Sequence, residues 1–466
     1  MKTTKSVGVY EARGDSGMAR LCVFLLLMLA GCSQMTRPDF ARLYADTGSQ
    51  QPPVVVIHGV LGARLADSEG RERWPGGVGR LVLSDYDDLA LPIDPVSLRP
   101  RDDGLRPTDI FEGAAGLDFY GALLRTLEEG GGYRRAKVGA PPPAGRHYYV
   151  FTYDWRQDNI DSVRALDALL ARIRADHGDP GLQVDLIAHS NGGLIARYYA
   201  RYGAVDLLDG NQFVVTQAGA LRIRRMVLLG TPNFGSVGAL HGMIVGRKVV
   251  FGSLMPEVLM TMPSLYQLFP HALNTWLIGH DGRPLDRDLF DVAIWRRFEW
   301  AVFDPEVRAR IRKHHSGDDP ERYLATLERY LGHHLERARR FTWALSVPEP
   351  TPGIDPIVFG GDCELTPARM LAEEVAGETV LRLDPGEIRR PLPGVDYDRL
   401  MLEPGDGTVT KASLLARDVL DPSRQRHAYS HFPHDYAFFL CVAHDQLTGN
   451  TSFQDNLLHA LLSIDR

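Results

Sequence analysis

Residues Val184 to Arg197 read VDLIAHSNGGLIAR and carry the strongest local signal in the chain. An apolar run, typical of a buried parallel strand, leads into Ala188 to Gly192 (AHSNG), and residues with helical spacing follow at once. The pattern matches G-x-S-x-G, the sharp strand-to-helix turn that exposes a serine hydroxyl above a sheet, with alanine in place of the first glycine. Ser190 is therefore predicted to be a nucleophile. The alternative is that it only caps the helix.

Three further apolar runs have the same character and read VVVIH, YYVFTY and MVLLG, at residues 54–58, 148–153 and 226–230. Residues 160–175 carry apolar side chains at helical spacing. Buried strands that alternate with helices are typical of a doubly wound, mostly parallel sheet. The sequence therefore predicts the α/β class.

Residues 234–340 break this alternation and are predicted to be a lid or cap inserted on the sheet. Within them, Ala239 to Leu277 is apolar and rich in Met and Leu, which fits either a lid over an acyl-binding groove or ordinary core. Glu321 to Arg340 has the pattern of a charged, solvated helix. The sheet is expected to resume at Phe341 to Ser346 and to finish with Tyr436 to Val442, before a closing helix over Asn456 to Ile464.

The partners that activate a serine are expected downstream, because the acid and then the histidine follow the nucleophile in this kind of fold. Asp406 lies in GDGTV, where two glycines leave its carboxylate unobstructed, and Asp355 and Asp362 are the alternatives. His444 directly follows the last apolar strand, and functional groups in an open α/β sheet lie beyond the carboxyl ends of strands. His434, which precedes that strand, is the alternative base.

Two backbone N–H groups are expected to stabilise the negative charge that develops on a substrate carbonyl. One belongs to Asn191, the residue after the nucleophile, and the other to Val60, in the loop after the His58-Gly59 pair. No cofactor or metal is expected. The histidine doublets at 314–315 and 333–334 stand in charged stretches and lack the spacing of metal ligands.

Composition and charge limit the partners. The chain has 466 residues, of which 44% are hydrophobic, and its formal net charge is -7. These values suit a folded globular protein and argue against nucleic acid as a partner. The 4 cysteines are too few for a disulfide scaffold. Cys363 and Cys441 either pair in an oxidising compartment or remain two buried thiols.

The N-terminus is predicted to be a targeting segment. Leu21 to Ala30 (LCVFLLLMLA) is too short to span a membrane and is typical of a secretory signal peptide. It leads into Leu-Ala-Gly-Cys32, which resembles the lipobox of bacterial lipoproteins, so lipidation of Cys32 is predicted. Residues 1–31 are then a signal peptide and residues 32–50 a tether. By resemblance to bacterial lipoprotein sorting, Ser33 after the lipidated cysteine implies the periplasmic face of the outer membrane in a bacterial cell envelope.

Taken together, these segments resemble the lecithin–cholesterol acyltransferase-like family of α/β-hydrolases. The matching segments are PVVVIHGVLGARL (53–65), YDWR (153–156), AHSNGG (188–193), GTPNFG (230–235), MPSLYQLFP (262–270) and PGDGTV (404–409). The resemblance implies an α/β-hydrolase core over residues 51–233 and 341–466. It also implies acyl-ester chemistry on a phospholipid, an acylglycerol or a smaller ester. The chain departs from the family's usual residues at Ala188 and Asn191.

The sequence therefore predicts a lipase- or phospholipase-like serine hydrolase of lipid esters, or an O-acyltransferase. The two differ only in whether water or an alcohol attacks the acyl-enzyme. A monomer held at a membrane by its lipid anchor is expected, with a lipid or ester as substrate. The alternative from another class is an inactive lipoprotein of the same fold that binds a lipid or a partner. The intact Ser190, Asp406 and His444 favour the enzyme.

Overall fold

The computed structural model of the chain describes residues 38–463, except 46, 48–50, 78, 81–83, 115–116, 250–251, 315–318, 350–352, 355, 419, 422 and 431. The predicted signal peptide, the lipidation site Cys32 and the first part of the predicted tether lie outside the described residues. So does Asp355, one of the alternative acids.

A seven-stranded sheet forms the centre of the fold. Its strands, in chain order, are β1 (Val54–Ile57), β2 (Arg134–Arg135), β3 (His147–Phe151), β4 (Val184–His189), β5 (Ile223–Leu229), β6 (Ile357–Gly361) and β7 (Tyr436–Leu440). Across the sheet the order is β7-β6-β5-β4-β1-β3-β2, and every neighbouring pair is parallel. The predicted doubly wound parallel sheet is confirmed.

Five helices contribute side chains to the apolar clusters around the sheet: α1 (Asn159–His177), α2 (Asn191–Tyr202), α3 (Val237–Val245), α4 (Pro320–Ser346) and α5 (Thr451–Leu462). Alternate residues of each central strand enter different apolar clusters. Leu186 belongs to a cluster with α1, α2 and α4, whereas Ile187 belongs to a cluster with α5. Helices therefore cover both faces, which is why consecutive residues of these strands are mostly apolar instead of alternating with polar ones.

Smaller elements surround the sheet. The shorter α-helices are Phe40–Leu43, Gly121–Arg125, Pro256–Leu259, Pro263–Tyr266, Val292–Arg297, Pro305–His314, Tyr397–Met401 and Lys411–Leu414. The shorter strands are Ala63–Ala66, Glu72–Trp74, Arg106–Ile110, Gly113–Ala114, Leu117–Asp118, Arg247–Val249, Gly252–Leu254, Leu277–Gly279, Glu364–Pro367, Met370–Val375, Glu378–Arg382 and Leu402–Gly405. Single helical turns are Asp87–Leu89, Thr126–Gly130, Ala220–Arg222, Ala301–Phe303, Pro385–Glu387 and His444–Gly449. No helix in the described part of the chain combines the length and the apolar character needed to cross a bilayer.

The strand predicted over Phe341 to Ser346 is wrong, because these residues form the last turns of α4. Phe341 and Leu345 are buried and continue, at helical spacing, the apolar stripe of Leu331 and Ala338. A short apolar run fits a strand or a buried helix equally well, and here the longer helical stripe decides. The sheet resumes instead at β6. The predicted boundary at residue 341 falls inside α4, and the division into core and cap stays a prediction.

The helix predicted over Glu321 to Arg340 exists, but only one of its faces is solvated. Tyr330, Leu335 and Arg337 are buried. The closing helix also begins earlier than predicted, at Thr451, where the side chain of Asn450 accepts a hydrogen bond from the N–H of Phe453. Asn450 is thus the N-cap of α5.

Cys363 and Cys441 form a disulfide. They follow β6 and β7, which are neighbouring parallel strands, so their Cα atoms lie 5.0 Å apart at the same edge of the sheet. The bond closes a loop of 78 residues that contains Asp406, and it precedes His444 by one short turn of chain. Of the two alternatives left open by the sequence, pairing is the one realised.

Candidate active site

Ser190 sits in a strained turn between β4 and α2. Its backbone has φ 54° and ψ −125°, a positive-φ conformation that non-glycine residues rarely adopt outside functional turns. Its N–H donates to the carbonyl oxygen of Leu229 at 2.8 Å, which fixes the turn against β5. A Cβ at Gly192 would lie 2.5 Å from the carbonyl oxygen of His58, so only glycine allows this close approach. The Ser190 side chain makes no capping hydrogen bond, contrary to the alternative that it is only an N-cap.

Asp406 and His444 form a hydrogen-bonded pair. The Nδ1 of His444 lies 2.8 Å from the Oδ2 of Asp406. The other carboxylate oxygen accepts hydrogen bonds from the N–H groups of Thr408 (3.0 Å) and Val409 (2.7 Å). The backbone N–H of His444 also donates to the Asp406 carbonyl at 2.9 Å, so the two residues are tied twice.

The electrostatics of the pair keep the carboxylate ionised. Burial alone would raise the pKa of Asp406. The neighbouring His444 and the hydrogen bonds from Val409 and Thr408 outweigh burial and hold the pKa of Asp406 below its ordinary value. A carboxylate that stays charged and fully hydrogen-bonded fixes the orientation of the imidazole beside it.

The alternative acid and base lie in other surroundings. Asp362 forms an ion pair with Lys411, 3.0 Å from its Nζ. The Nδ1 of His434 lies 3.1 Å from the carbonyl oxygen of Phe432, before β7, at the end of that strand opposite His444. The described residues therefore pair the first-choice acid with the first-choice base, and their catalytic roles stay predictions.

A cavity of about 800 Å³ opens beside these groups and is large enough for a lipid-sized ligand. Ser190, Asp406, His444 and Val60 all line it. Its lining is mostly apolar and includes Leu61, Phe111, Phe119, Ala239 and Leu268. The structure thus brings the predicted nucleophile, acid, base and one predicted N–H donor to one apolar space.

Asn191 contributes its backbone and not its side chain. The buried Asn191 amide exchanges two hydrogen bonds with the Asn159 amide, at 3.0 and 2.8 Å, and faces α1. Its N–H belongs to the first turn of α2, where N–H groups have no partner inside the helix. This leaves the N–H of Asn191 beside Ser190 as the prediction requires.

The sequence did not decide whether Ala239 to Leu277 forms a lid or part of the core. In the structure this segment divides into two parts. Ala239 and Gly242, on α3, and the following Gly246 to Lys248 line the cavity. Farther along, Met260 and Met262 are buried in the main apolar cluster. Each alternative therefore describes one part of the segment, and movement of the cavity-lining part stays a prediction.

Three further polar residues at the site were missed by sequence reasoning: His58, Tyr120 and His189. Burial lowers the pKa of His58 to about 4 and, together with the nearby His444, lowers that of His189 to about 3. Both rings are therefore neutral near pH 7. The histidine in VVVIH and the one beside Ser190 were visible signals, whereas nothing in the sequence around Tyr120 marks it. No group of three or more His, Cys, Asp or Glu side chains in the described ranges is arranged to hold a metal ion.

The comparisons with known proteins concern the fold. No protein-family profile matches the sequence, and no curated protein matches it. The crystal structure of a Tle4–Tli4 complex is similar, with 14% identity, coverage of 89% of this chain and 98% of that chain, and a TM-score of 0.52. Lipase BlEst2 of Bacillus licheniformis in its mature form matches with 13% identity, coverage of 90% and 95%, and a TM-score of 0.30. Phospholipase PlaB of Legionella pneumophila matches with 16% identity, coverage of 52% and 41%, and a TM-score of 0.22.

Together with the parallel sheet and the serine turn, the likeness to the structure of the Tle4–Tli4 complex shows an α/β-hydrolase fold. The narrower resemblance to the lecithin–cholesterol acyltransferase-like family stays a prediction.

Proposed function

We propose that this protein is a serine hydrolase that cleaves carboxylic esters of lipids through an acyl-enzyme. The observation that carries the proposal is the shared cavity of the strained Ser190 and the hydrogen-bonded pair of His444 and Asp406. A serine hydroxyl needs a base, and the base needs a group that orients it. The α/β-hydrolase fold adds support, since its nucleophile occupies the same strand-to-helix turn.

In the proposed mechanism His444 is the general base. Its Nδ1 is engaged by Asp406, so Nε2 is the nitrogen that accepts the proton of Ser190. The serine oxygen then attacks the ester carbonyl carbon. The imidazolium that forms is stabilised by the ionised Asp406, and it returns its proton to the leaving alcohol.

The N–H groups of Val60 and Asn191 are proposed to hold the oxygen of the tetrahedral intermediate. Val60 lines the cavity, and Asn191 begins α2, whose first turn directs N–H groups and a positive partial charge toward Ser190. Loss of one such donor typically costs about 100- to 1,000-fold in rate.

A lipid acyl chain is the proposed occupant of the cavity because most of the cavity lining is apolar. Two cationic side chains, Arg247 and Lys248, also line the cavity and are exposed to solvent. Water is the proposed acceptor of the acyl group. An alcohol would use the same Ser190, His444 and Asp406, which makes O-acyl transfer the outcome to be tested beside hydrolysis.

The test compares the wild-type protein with Ser190→Ala on p-nitrophenyl esters of two to sixteen carbons and on phosphatidylcholine micelles, with and without an added alcohol. We expect hydrolysis by the wild type, a preference for long chains, and loss of activity in the variant. Acyl-alcohol product would favour the transferase. Absence of activity on every ester would contradict the proposal and favour the inactive, lipid- or partner-binding lipoprotein.

We further propose that the protein is anchored by a lipid on Cys32 at the periplasmic face of a bacterial outer membrane. The support is the Leu-Ala-Gly-Cys32 sequence after an apolar run. Expression of the full chain in bacteria fed an alkyne fatty acid should label the wild type and not Cys32→Ser, and only the wild type should sediment with outer membranes. Equal labelling of the variant would contradict the anchor.

A further inference from the structure

The hydroxyl of Tyr120 joins the loop that carries Val60 to the turn that carries Ser190. Tyr120 is buried, and its oxygen accepts the N–H of Gly59 at 2.8 Å. The same oxygen lies 2.7 Å from the Nδ1 of His189. One phenol therefore contacts the residue before Val60 and the residue before Ser190.

The directions of these hydrogen bonds follow from counting protons. The Gly59 N–H brings its own hydrogen, so the single hydrogen of the Tyr120 hydroxyl is free to be donated to His189. Burial raises the pKa of Tyr120 and keeps the hydroxyl protonated, although the Gly59 N–H acts in the opposite sense. Burial and His444 keep His189 neutral, and with the ring proton on Nε2 its Nδ1 is able to accept the Tyr120 hydrogen.

The other side of Gly59 is fixed as well. Its carbonyl oxygen lies 2.7 Å from the Nδ1 of His58 and accepts the N–H of Gly62 at 3.1 Å. Because a peptide group is planar, fixing this carbonyl also fixes the direction of the N–H of Val60. A Cβ on Gly59 would lie 2.7 Å from the Cβ of Ser190, so the loop touches the nucleophile itself.

We propose that Tyr120 is a positioning residue that holds the Val60 N–H donor in register with Ser190, through Gly59 on one side and His189 on the other. The inference rests on the proposed function. Tyr120 lines the cavity, but its hydroxyl is bonded to Gly59 and His189 and is proposed to make no contact with the substrate. Its hydroxyl matters because the distance between donor and nucleophile must be kept while the oxyanion forms.

The experiment compares Tyr120→Phe with Tyr202→Phe. Tyr202 is an equally buried tyrosine whose hydroxyl donates to the carbonyl of Ala344 at 2.6 Å and does not line the cavity. For Tyr120→Phe we expect kcat on a p-nitrophenyl ester to fall roughly 10- to 100-fold at unchanged KM, because only the transition state is affected. Tyr202→Phe should keep the wild-type kcat.

A second readout uses an alkyl boronic acid, which forms a tetrahedral adduct with the serine and resembles the oxyanion. Its inhibition constant should rise in Tyr120→Phe by about the same factor as kcat falls. A change in kcat of less than twofold, a loss carried by KM, or an equal loss in Tyr202→Phe would overturn the inference.

Should Tyr120→Phe not fold, the pair His189→Gln and His189→Leu replaces it. Glutamine has an amide oxygen that is able to accept the Tyr120 hydrogen, so this variant should keep more activity than the leucine variant. Equal activity of the two would overturn the inference. Failure of the proposed function is distinguishable, because the wild type would then cleave no ester at all.

Discussion

The cavity has two unlike parts. We call Ser190, Asp406 and His444 the floor, since each follows a strand and is held by backbone hydrogen bonds. We call Ala239 to Lys248 the wall, which comprises most of α3 and the start of the next hairpin and is exposed at its tip. The floor is fixed by directional bonds, and the wall by apolar packing of residues such as Leu240. Chemistry and substrate choice should therefore respond to different substitutions.

The largest expected effect lies in the floor. Asp406→Asn should lower kcat about 10,000-fold, because an amide does not fix the tautomer of His444 that leaves Nε2 free to accept a proton. Steady-state kinetics on a soluble ester measure it. Asp362→Asn is the matched control, since that carboxylate pairs with the partly exposed Lys411 and should change kcat less than about twofold. A larger fall in kcat in Asp362→Asn than in Asp406→Asn would make Asp362 the catalytic acid.

Acid should weaken the protein through its buried neutral histidines. The pKa values of His58 and His334 are lowered by burial to about 4 and about 3, against about 6.5 in the unfolded chain. The unfolded state then binds more protons below pH 6.5, so the free energy of unfolding falls as pH drops from 6.5 toward 4. Each such histidine contributes up to about 1.4 kcal/mol per pH unit.

Urea unfolding at pH 7.0, 5.5 and 4.5 measures the slope of the free energy of unfolding against pH. His334→Gln should flatten it, whereas His459→Gln, at an exposed position on α5, should leave it as in the wild type. A free energy of unfolding that does not change between pH 7.0 and 4.5 would contradict the account.

The disulfide should stabilise the floor more than the wall. It joins the ends of β6 and β7, and the loop it closes contains Asp406. The double substitution Cys363→Ser with Cys441→Ser is expected to lower the free energy of unfolding by about 2–4 kcal/mol. Thermal unfolding with and without a reductant measures it: the reductant should lower the Tm of the wild type only. An unchanged Tm in the double variant would refute this role.

The smallest expected effect belongs to the wall. Ala239→Trp should fill part of the cavity and raise KM for a twelve-carbon ester roughly tenfold, while kcat for an acetate ester stays unchanged. Val245→Trp, on the same helix at a position that is 55% exposed, is the control and should alter neither value. A fall in kcat for the acetate in Ala239→Trp would mean that floor and wall are not separable.

The floor was largely predictable from the sequence, because its signals are local. The strand β1 is an unbroken apolar run, β4 and β5 are apolar over most of their length, and Ser190 and His444 follow apolar strands. Asp406 was marked by its two flanking glycines. The run at Phe341 to Ser346 misled because its length does not separate a strand from the end of a buried helix.

The contacts that position the floor were not predictable, because they join distant parts of the chain. Tyr120 is 61 residues from Gly59 and 69 residues from His189, and it stands just before a five-residue helix with no recognisable motif. The pairing of Cys363 with Cys441 likewise depends on the order of strands in the sheet. Only the three-dimensional arrangement reveals which side chains meet.

Covalent labelling shows directly whether Ser190 is the nucleophile. The wild-type protein would be treated with an alkyl fluorophosphonate, digested, and mapped by mass spectrometry. We predict a single phosphonate adduct on the peptide that contains Ser190, with none in Ser190→Ala and a strongly slowed reaction in Asp406→Asn. An adduct on a different residue, or equal labelling of Ser190→Ala, would contradict the account.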